Sequence, residues 1–247
     1  MDIRPVRLRA LCPPQDDLFD AIIQSGMRLG ERDVVAVSSK VVSIHEGRCV
    51  AAASADKQLL ARQESEYYTA EKPRWGSRFT LTQGVLIRAA GIDESNGDGY
   101  YTLWPLHPQD SAAKLRRKLM KHYKVKSLGV LITDSISTPL RRGAIGFALA
   151  WAGFEPLYDY RGKKDIFGRK LVYEQSNIAD ALAAGAVLVM GEGSERTPVA
   201  VIRNAPEKIW ARSRGGSSFV VPLTEDLFSI FLTKAVWKKG GRFIKRK

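Results

Sequence analysis

Three apolar runs in this chain each stop at a carboxylate set beside Gly, Ser or Asn: RAAGIDESN from Arg88 to Asn96, VLITDS from Val130 to Ser135, and VMGEG from Val189 to Gly193. Aliphatic, β-branched runs bounded by turn formers read as strands. A carboxylate at the end of such a strand is how a fold offers oxygen donors to a hard cation. One block of this kind reads as a helix cap or a turn. Three of them, the first two with a Ser or Asn close by, point instead to a site for metal and nucleotide, with Asp93, Asp134 and Glu192 as its carboxylates.

The remaining pattern mixes strands and helices without a regular βαβ period, so the expected class is an irregular α/β, or mixed α+β, fold. Strands are expected at Asp33 to Ser38, Phe79 to Ala89, Leu128 to Thr133, Gly146 to Ala150, Thr197 to Ile202 and Ser218 to Val221. Helical spacing predicts a short helix from Asp16 to Gln24, with Leu18, Ile22 and Ile23 inward and a stop near Gly26. A second helix is expected from Ser111 to His122, capped by Asp110 or Ser111 and turning Leu115 and Leu119 inward. Asn177 to Val189 reads as a helix, or a helix running into a strand, ending at Gly191, and Glu225 to Trp237 as a strongly apolar helix. Residues 51–78 stay ambiguous, helix-favouring at first and then broken by Pro73, Gly76 and Ser77. With no repeat or linker, residues 1–237 read as a single domain and 238–247 as a basic tail.

A chain of 247 residues that is 45% hydrophobic can bury one large core or two small lobes. It has no run of eighteen apolar residues, and MDIRPVRLRA lacks the apolar stretch of a signal peptide, so a cytoplasmic, reducing setting is expected. Cys12 and Cys49 stand in no metal or redox spacing, and His45, His107 and His122 are too scattered for zinc. The net charge of +13 suits nucleic acid, an anionic membrane or a polyanionic small substrate. No helix-turn-helix, zinc-finger or RNP-like pattern is present, so a solvated basic face plus tail is favoured over nucleic-acid recognition. The apolar helix and KKGGRFIKRK tail leave a binding protein for anionic membranes or nucleic acid as an alternative.

The order of the motifs is similar to one known family. SSKVVSIHEGR (Ser38 to Arg48), AGIDESN, LWPLHPQDSAAKLRRKL (Leu103 to Leu119), ITDS, LRRGAIGFALAWAG (Leu140 to Gly153), YRGKKDIFGRKL (Tyr160 to Leu171), NIADALAAGAVLVMGEG (Asn177 to Gly193) and TPVAVIR (Thr197 to Arg203) together resemble the coenzyme F420-0 gamma-glutamyl ligases. The resemblance implies two interlocked lobes, an intertwined homodimer, and a ligase that uses GTP to add L-glutamate to a phosphorylated deazaflavin acceptor. It implies two Mg2+ or Mn2+ ions, the first on Asp93 and Asp134 as catalytic ligands, the second on Ser135 and Glu192. It also places Ser39 and Lys40 near the nucleotide phosphates, Asn96 on the nucleotide, and Met190, Gly191, Gly193, Ser194 and Glu195 in a loop that wraps it.

This chemistry fits the residue types. Joining an amine to a carboxylate in water requires activation, which phosphoryl transfer provides as an acyl phosphate. Charge spreading onto the transferred group must then be neutralised by basic side chains and by ions about 3.5 to 4 Å apart. Gly191 and Gly193 would let backbone amides approach phosphate. Neither GxxxxGK[ST] nor GxGxxG occurs, so the site would be neither Walker nor Rossmann. Arg161, Lys163, Asp165 and Arg169 read either as contacts for the anionic substrate or glutamate, or as a salt-bridged surface loop. Three departures from the family pattern stand out. Ile44 replaces a lysine, Ile136 to Thr138 replace a stretch with Gly and Arg, and Cys12, Pro13 and Pro14 alter the N-terminal loop. A diverged amide ligase with another nucleotide, amine or acceptor is therefore a second expectation.

Overall fold

The computed structural model describes residues 1–74, 76–210 and 219–242. Its centre is a five-stranded sheet in the order β1 (Asp2–Val6), β12 (Val199–Arg203), β2 (Asp33–Ser38), β8 (Leu128–Ile136), β9 (Ile145–Ala152). β2 and β8 are parallel and the other neighbours antiparallel. β2 matches its expected span, and its DVVAVS sequence is buried from Asp33 to Val37 because both sheet faces are covered. The two-residue period divides the central strands. Val35, Val37, Val130, Ile132, Val199 and Val201 face one core, while Val34, Ala36, Leu131, Ala200 and Ile202 face the other.

The first core is closed by α1 (Leu18–Gln24) and α4 (Pro108–Tyr123), the second by α5 (Ile178–Met190). On α1, Ala21 shares the buried face with Leu18 and Ile22, whereas Ile23 is only half-buried. The expected cap of α4 at Asp110 or Ser111 is corrected: the helix starts three residues earlier, with His107 in the cap position and Pro108 in the first turn. Proline fits there because that N–H would have no helical partner anyway. α5 is helical throughout, from an Asn177 side chain that accepts from the Asp180 amide to Gly191. The third carboxylate block therefore follows a helix, not a strand. Leu131 is fully buried under α5. Leu131→Ala should cost about 3 to 4 kcal/mol, read as a lowered urea midpoint at unchanged m-value.

A second sheet, β13 (Trp237–Lys239), β4 (Tyr67–Thr69), β5 (Phe79–Thr82), β6 (Val85–Arg88), lies beside α3 (Lys57–Glu64). The single strand expected from Phe79 to Ala89 is a hairpin. Gln83 and Gly84 both take positive φ, 54° and 78°, as a tight two-residue turn requires. α2 (Ser39–His45) follows β2 without a gap, β3 (Cys49–Ala51) pairs with β7 (Tyr100–Thr102), and β10 (Leu157–Asp159) pairs with β11 (Gln175–Asn177).

The C-terminal expectations need correction. The helix from Glu225 to Trp237 shrinks to α6 (Ser229–Leu232), and Leu227, Phe228, Ile230, Phe231 and Val236 are exposed, so no described part of the chain covers them. Without a partner face, apolar spacing does not sustain a long helix. Ser218 lies outside the described residues, and Phe219 to Val221 form bend and loop, not strand. Lys238 and Lys239, read as the start of a tail, are strand residues paired with Tyr68 and Tyr67. Among the described residues no helix is long and apolar enough to cross a membrane.

A candidate active site at the ends of the parallel strands

Ligands of open α/β sheets sit beyond the C-terminal ends of parallel strands. Here β2 runs into α2 at Ser39, and β8 carries Asp134 near its end. A cavity of about 580 Å³ opens at this place. It is lined by Ser39, Lys40, Asp93, Asn96, Asp134 and Ser135, and by the loop from Met190 through Gly191, Glu192, Gly193, Ser194 and Glu195 to Pro198. All the residues expected to hold metal or nucleotide thus face one space. None of Arg161, Lys163, Asp165 or Arg169 lines it. Arg161 pairs with Asp159, Lys163 lies over Tyr158 at 4.1 Å, and Asp165 accepts the amides of Phe167 and Arg169.

Asp93 is held in a turn of its own block. It accepts from the amides of Glu94 and Ser95 at 2.6 and 2.9 Å, and the Lys40 ammonium sits 2.7 Å from its Oδ2. Lys40 also donates to the Ser95 carbonyl and hydroxyl at 2.7 and 2.9 Å. Burial pushes the Asp93 carboxyl up, but the hydrogen bond and charge of Lys40, together with the amide and hydroxyl of Ser95, outweigh it and hold the group below the usual carboxylate range.

Asp134 lies deeper. Burial pushes its carboxyl up to about 6, against hydrogen bonds from the Ser135 amide, the Trp104 indole and the Ser39 hydroxyl, and the negative charge of Asp93 adds to the rise. Ser39 donates to Asp134 Oδ2 at 3.0 Å, so in this state its hydroxyl serves the carboxylate. Asn96 ties the first block to the third loop by donating to the Gly193 carbonyl at 3.0 Å, and Glu195 accepts the Gly193 amide at 2.8 Å.

Asp93 and Asp134 fit a hard cation. Both are oxygen donors, and Asp134 is a buried carboxyl raised partly by its acidic neighbour, a repulsion that a cation between them would reverse. Glu192 lines the cavity from an exposed loop, and among the described residues no three acidic, His or Cys side chains converge as a metal cluster. Donors beyond the two aspartates would have to come from Ser135, from loop movement or from the ligand itself. Ile44 is 3% exposed and lines the cavity, an apolar wall where the family pattern has a lysine.

Sequence reasoning gave no role to Trp104, whose indole N–H donates to Asp134 Oδ2, or to Arg9 and Arg196, which also line the cavity. The signal for Trp104 was available as a tryptophan in a Pro-rich turn just after the first carboxylate block. Arg9 is held by Asp16 at 2.7 Å, a pairing that spacing alone does not reveal.

The model of the F420-0:gamma-glutamyl ligase family matches residues 59–204, more than half of the chain and including Asp93, Asp134 and Glu192. The chain belongs to this family. The coenzyme F420:L-glutamate ligase of Methanopyrus kandleri is 35% identical over 219 residues, covering 81% of this chain and 86% of its own length. The enzyme of the same name from Archaeoglobus fulgidus is 35% identical over 224 residues, covering 82% and 87%. That of Halobacterium salinarum is 35% identical over 210 residues, covering 76% and 81%. The family is one of ligases, so the cavity belongs to an enzyme.

Proposed function

We propose that the protein is a GTP- and divalent-metal-dependent ligase that adds L-glutamate, through its amine, to coenzyme F420-0 or a related phosphorylated deazaflavin, and that it works as a homodimer. The observation that carries this reading is the pairing of Asp93 and Asp134 around one cavity in a chain whose relatives are named coenzyme F420:L-glutamate ligases. A Mg2+ or Mn2+ ion held by the two aspartates, with Ser135 and Glu192 serving a second, would supply charge neutralisation on the transferred phosphoryl group.

The chain's own residues do the remaining work. Lys40 lies in the cavity between the Asp93 carboxylate and the Ser95 carbonyl, within reach of a phosphate oxygen that could share its ammonium. The Asn96 link to Gly193 keeps the loop after α5 beside Asp93, so the nucleotide would be held from two sides. The Gly191 amide caps α5 on the Val187 carbonyl, and the Gly193 amide is held by the Glu195 carboxylate, so an anion would take the Gly193 amide by displacing Glu195, a close approach that the missing side chain permits. The acceptor's carboxylate takes the γ-phosphoryl group as GDP leaves. The glutamate amine then attacks the acyl phosphate, loses its proton and expels phosphate. Water must be kept from that intermediate, and the buried wall of Val41, Ile44 and Leu103 serves this.

Incubation with GTP, Mn2+, L-glutamate and F420-0 should give GDP, phosphate and a glutamylated product in equal amounts. Phosphate release without the product, or neither, would reject the acceptor. The buried Ile44 in place of a cation favours, as a second reading, a ligase of the same chemistry with a different nucleotide or acceptor. Substituting ATP and other phosphorylated carboxylic acids in the same assay separates the two.

A further inference from the structure

The segment at the C-terminus of the described chain lies beyond residues 59–204, where the family model matches, yet it is built into the fold. After β13, the chain packs its backbone against the end of α3. Gly240 donates to the Glu66 carbonyl at 2.8 Å, Gly241 to Arg62 at 2.9 Å, and the Arg242 amide to Ser65 at 3.1 Å. The approach is so close that a Cβ at Gly240 would stand 2.0 Å from the Ser65 carbonyl oxygen. This docking delivers the Arg242 side chain, only 9% exposed, to a position 3.8 Å from Glu64, which also receives Arg48 at 2.6 Å. Removing a guanidinium from water costs several kcal/mol unless its donors find acceptors; among the described residues Nη1 has only the charge of Glu64 and no hydrogen bond, so the acceptor that Nη2 grips matters.

It grips the loop that carries Trp104. Three consecutive carbonyls of this loop each accept from a different part of the chain: Trp104 from Arg48 Nε at 3.1 Å, Pro105 from Gln83 Nε2 at 3.0 Å, and Leu106 from Arg242 at 2.5 Å. Trp104 is buried, and its indole N–H donates to Asp134. Its ring lies against Gly91, where any Cβ would stand 2.1 Å from it.

We propose that residues 237–242 form a latch on the active site: Arg242, sharing Glu64 with Arg48, fixes the backbone of residues 104–106 so that the Trp104 indole N–H stays on Asp134. Arg242 is then a positioning residue for that carboxylate, acting through Trp104. The latch rests on the reading of this cavity as the active site.

The test uses the full chain and two independent readouts. In 15N spectra with the Trp104 indole assigned by Trp104→Phe, Arg242→Met should raise solvent exchange of that indole N–H about tenfold or more, as expected when one charge-assisted grip is lost. The indoles of Trp151 and Trp210 should not change. Ligation turnover should fall about tenfold with KM for the nucleotide altered less than twofold. Trp104→Phe should lose a similar factor, and the double variant no more than the weaker single. Gly240→Val, which undocks the segment without touching Arg242, should reproduce the pattern, and Arg242→Lys should recover part of it. Should Arg242→Met melt below the assay temperature, Arg242→Lys carries the measurement. Unchanged Trp104 exchange in both Arg242 variants, or losses that multiply in the double variant, would overturn the latch. If the wild type proves inactive on F420-0, the substrate reading fails while indole exchange still decides the latch.

Discussion

Asp134→Asn is expected to reduce ligation by about three orders of magnitude while making the metal-free fold more stable above pH 6. The loss of activity follows from removing the anionic charge at the floor of the cavity, where charge must be organised around the transferred phosphoryl group. The gain in stability follows from the position of the carboxyl. In the fold it titrates at about 6 against an ordinary value of 3.8, first because burial removes its hydration and also because Asp93 is close. A raised carboxyl pKa means that the folded chain holds a proton which the unfolded chain has already released. Stability from this group is therefore full below about pH 4 and is lost as pH rises through 6, by about 3 kcal/mol for a shift of this size. The asparagine oxygen can still accept from Trp104 and Ser39, its nitrogen loses the Ser135 amide bond that Oδ1 accepts, and the side chain carries no charge to desolvate. With EDTA present, melting temperatures at pH 5 and pH 8 should separate for the wild type and converge for the variant, whose melting point at pH 8 should rise by several degrees. A variant that keeps a tenth of the activity, or melts lower at pH 8, contradicts this account. Such an opposition of stability and function is expected where a site holds a group at a cost to the fold.

The positions of the main strands were legible because two-residue alternation between two covered faces leaves continuous apolar runs such as Val34 to Val37 and Leu128 to Ile132. The site was legible for a related reason. Asp134 continues a buried strand, and Asp93 follows the buried Ala89, Ala90 and Ile92 and is itself followed by the polar run Glu94, Ser95 and Asn96. What stayed hidden depended on partners distant in sequence. The Trp104 contact spans 30 residues, the Lys40 contact with Ser95 spans 55, and the Arg242 contact with Leu106 spans 136. The hairpin within Phe79 to Ala89 was missed because Gln83, a residue with no turn preference, takes φ of 54° beside Gly84. The apolar run from Leu227 to Val236 misled in the other direction. Its spacing suits a helix, but these side chains remain exposed and the helix stops after four residues.

Gly91→Ala should be the most damaging single-methyl change near the site, with a loss of about 3 kcal/mol in stability and, as for loss of the Trp104 N–H itself, about tenfold in turnover. Two costs combine. Gly91 has φ of 71° and follows Ala89 and Ala90 at 49° and 54°, so three successive residues already occupy the left-handed region. A side chain there adds about 1 kcal/mol. The larger cost is steric: the new Cβ would stand 2.1 Å from Trp104 Cε2 and 2.3 Å from its Nε1, the atom that donates to Asp134. The indole must shift by more than an ångström, and that shift takes the N–H off the carboxylate. Trp104→Leu removes the clash but leaves the backbone strain. In that background Gly91→Ala should therefore cost only about 1 kcal/mol, a coupling of about 2 kcal/mol in a double-mutant cycle read by urea denaturation. Equal costs in both backgrounds would place the damage in the backbone alone and remove Trp104 from the account of how Asp134 is held.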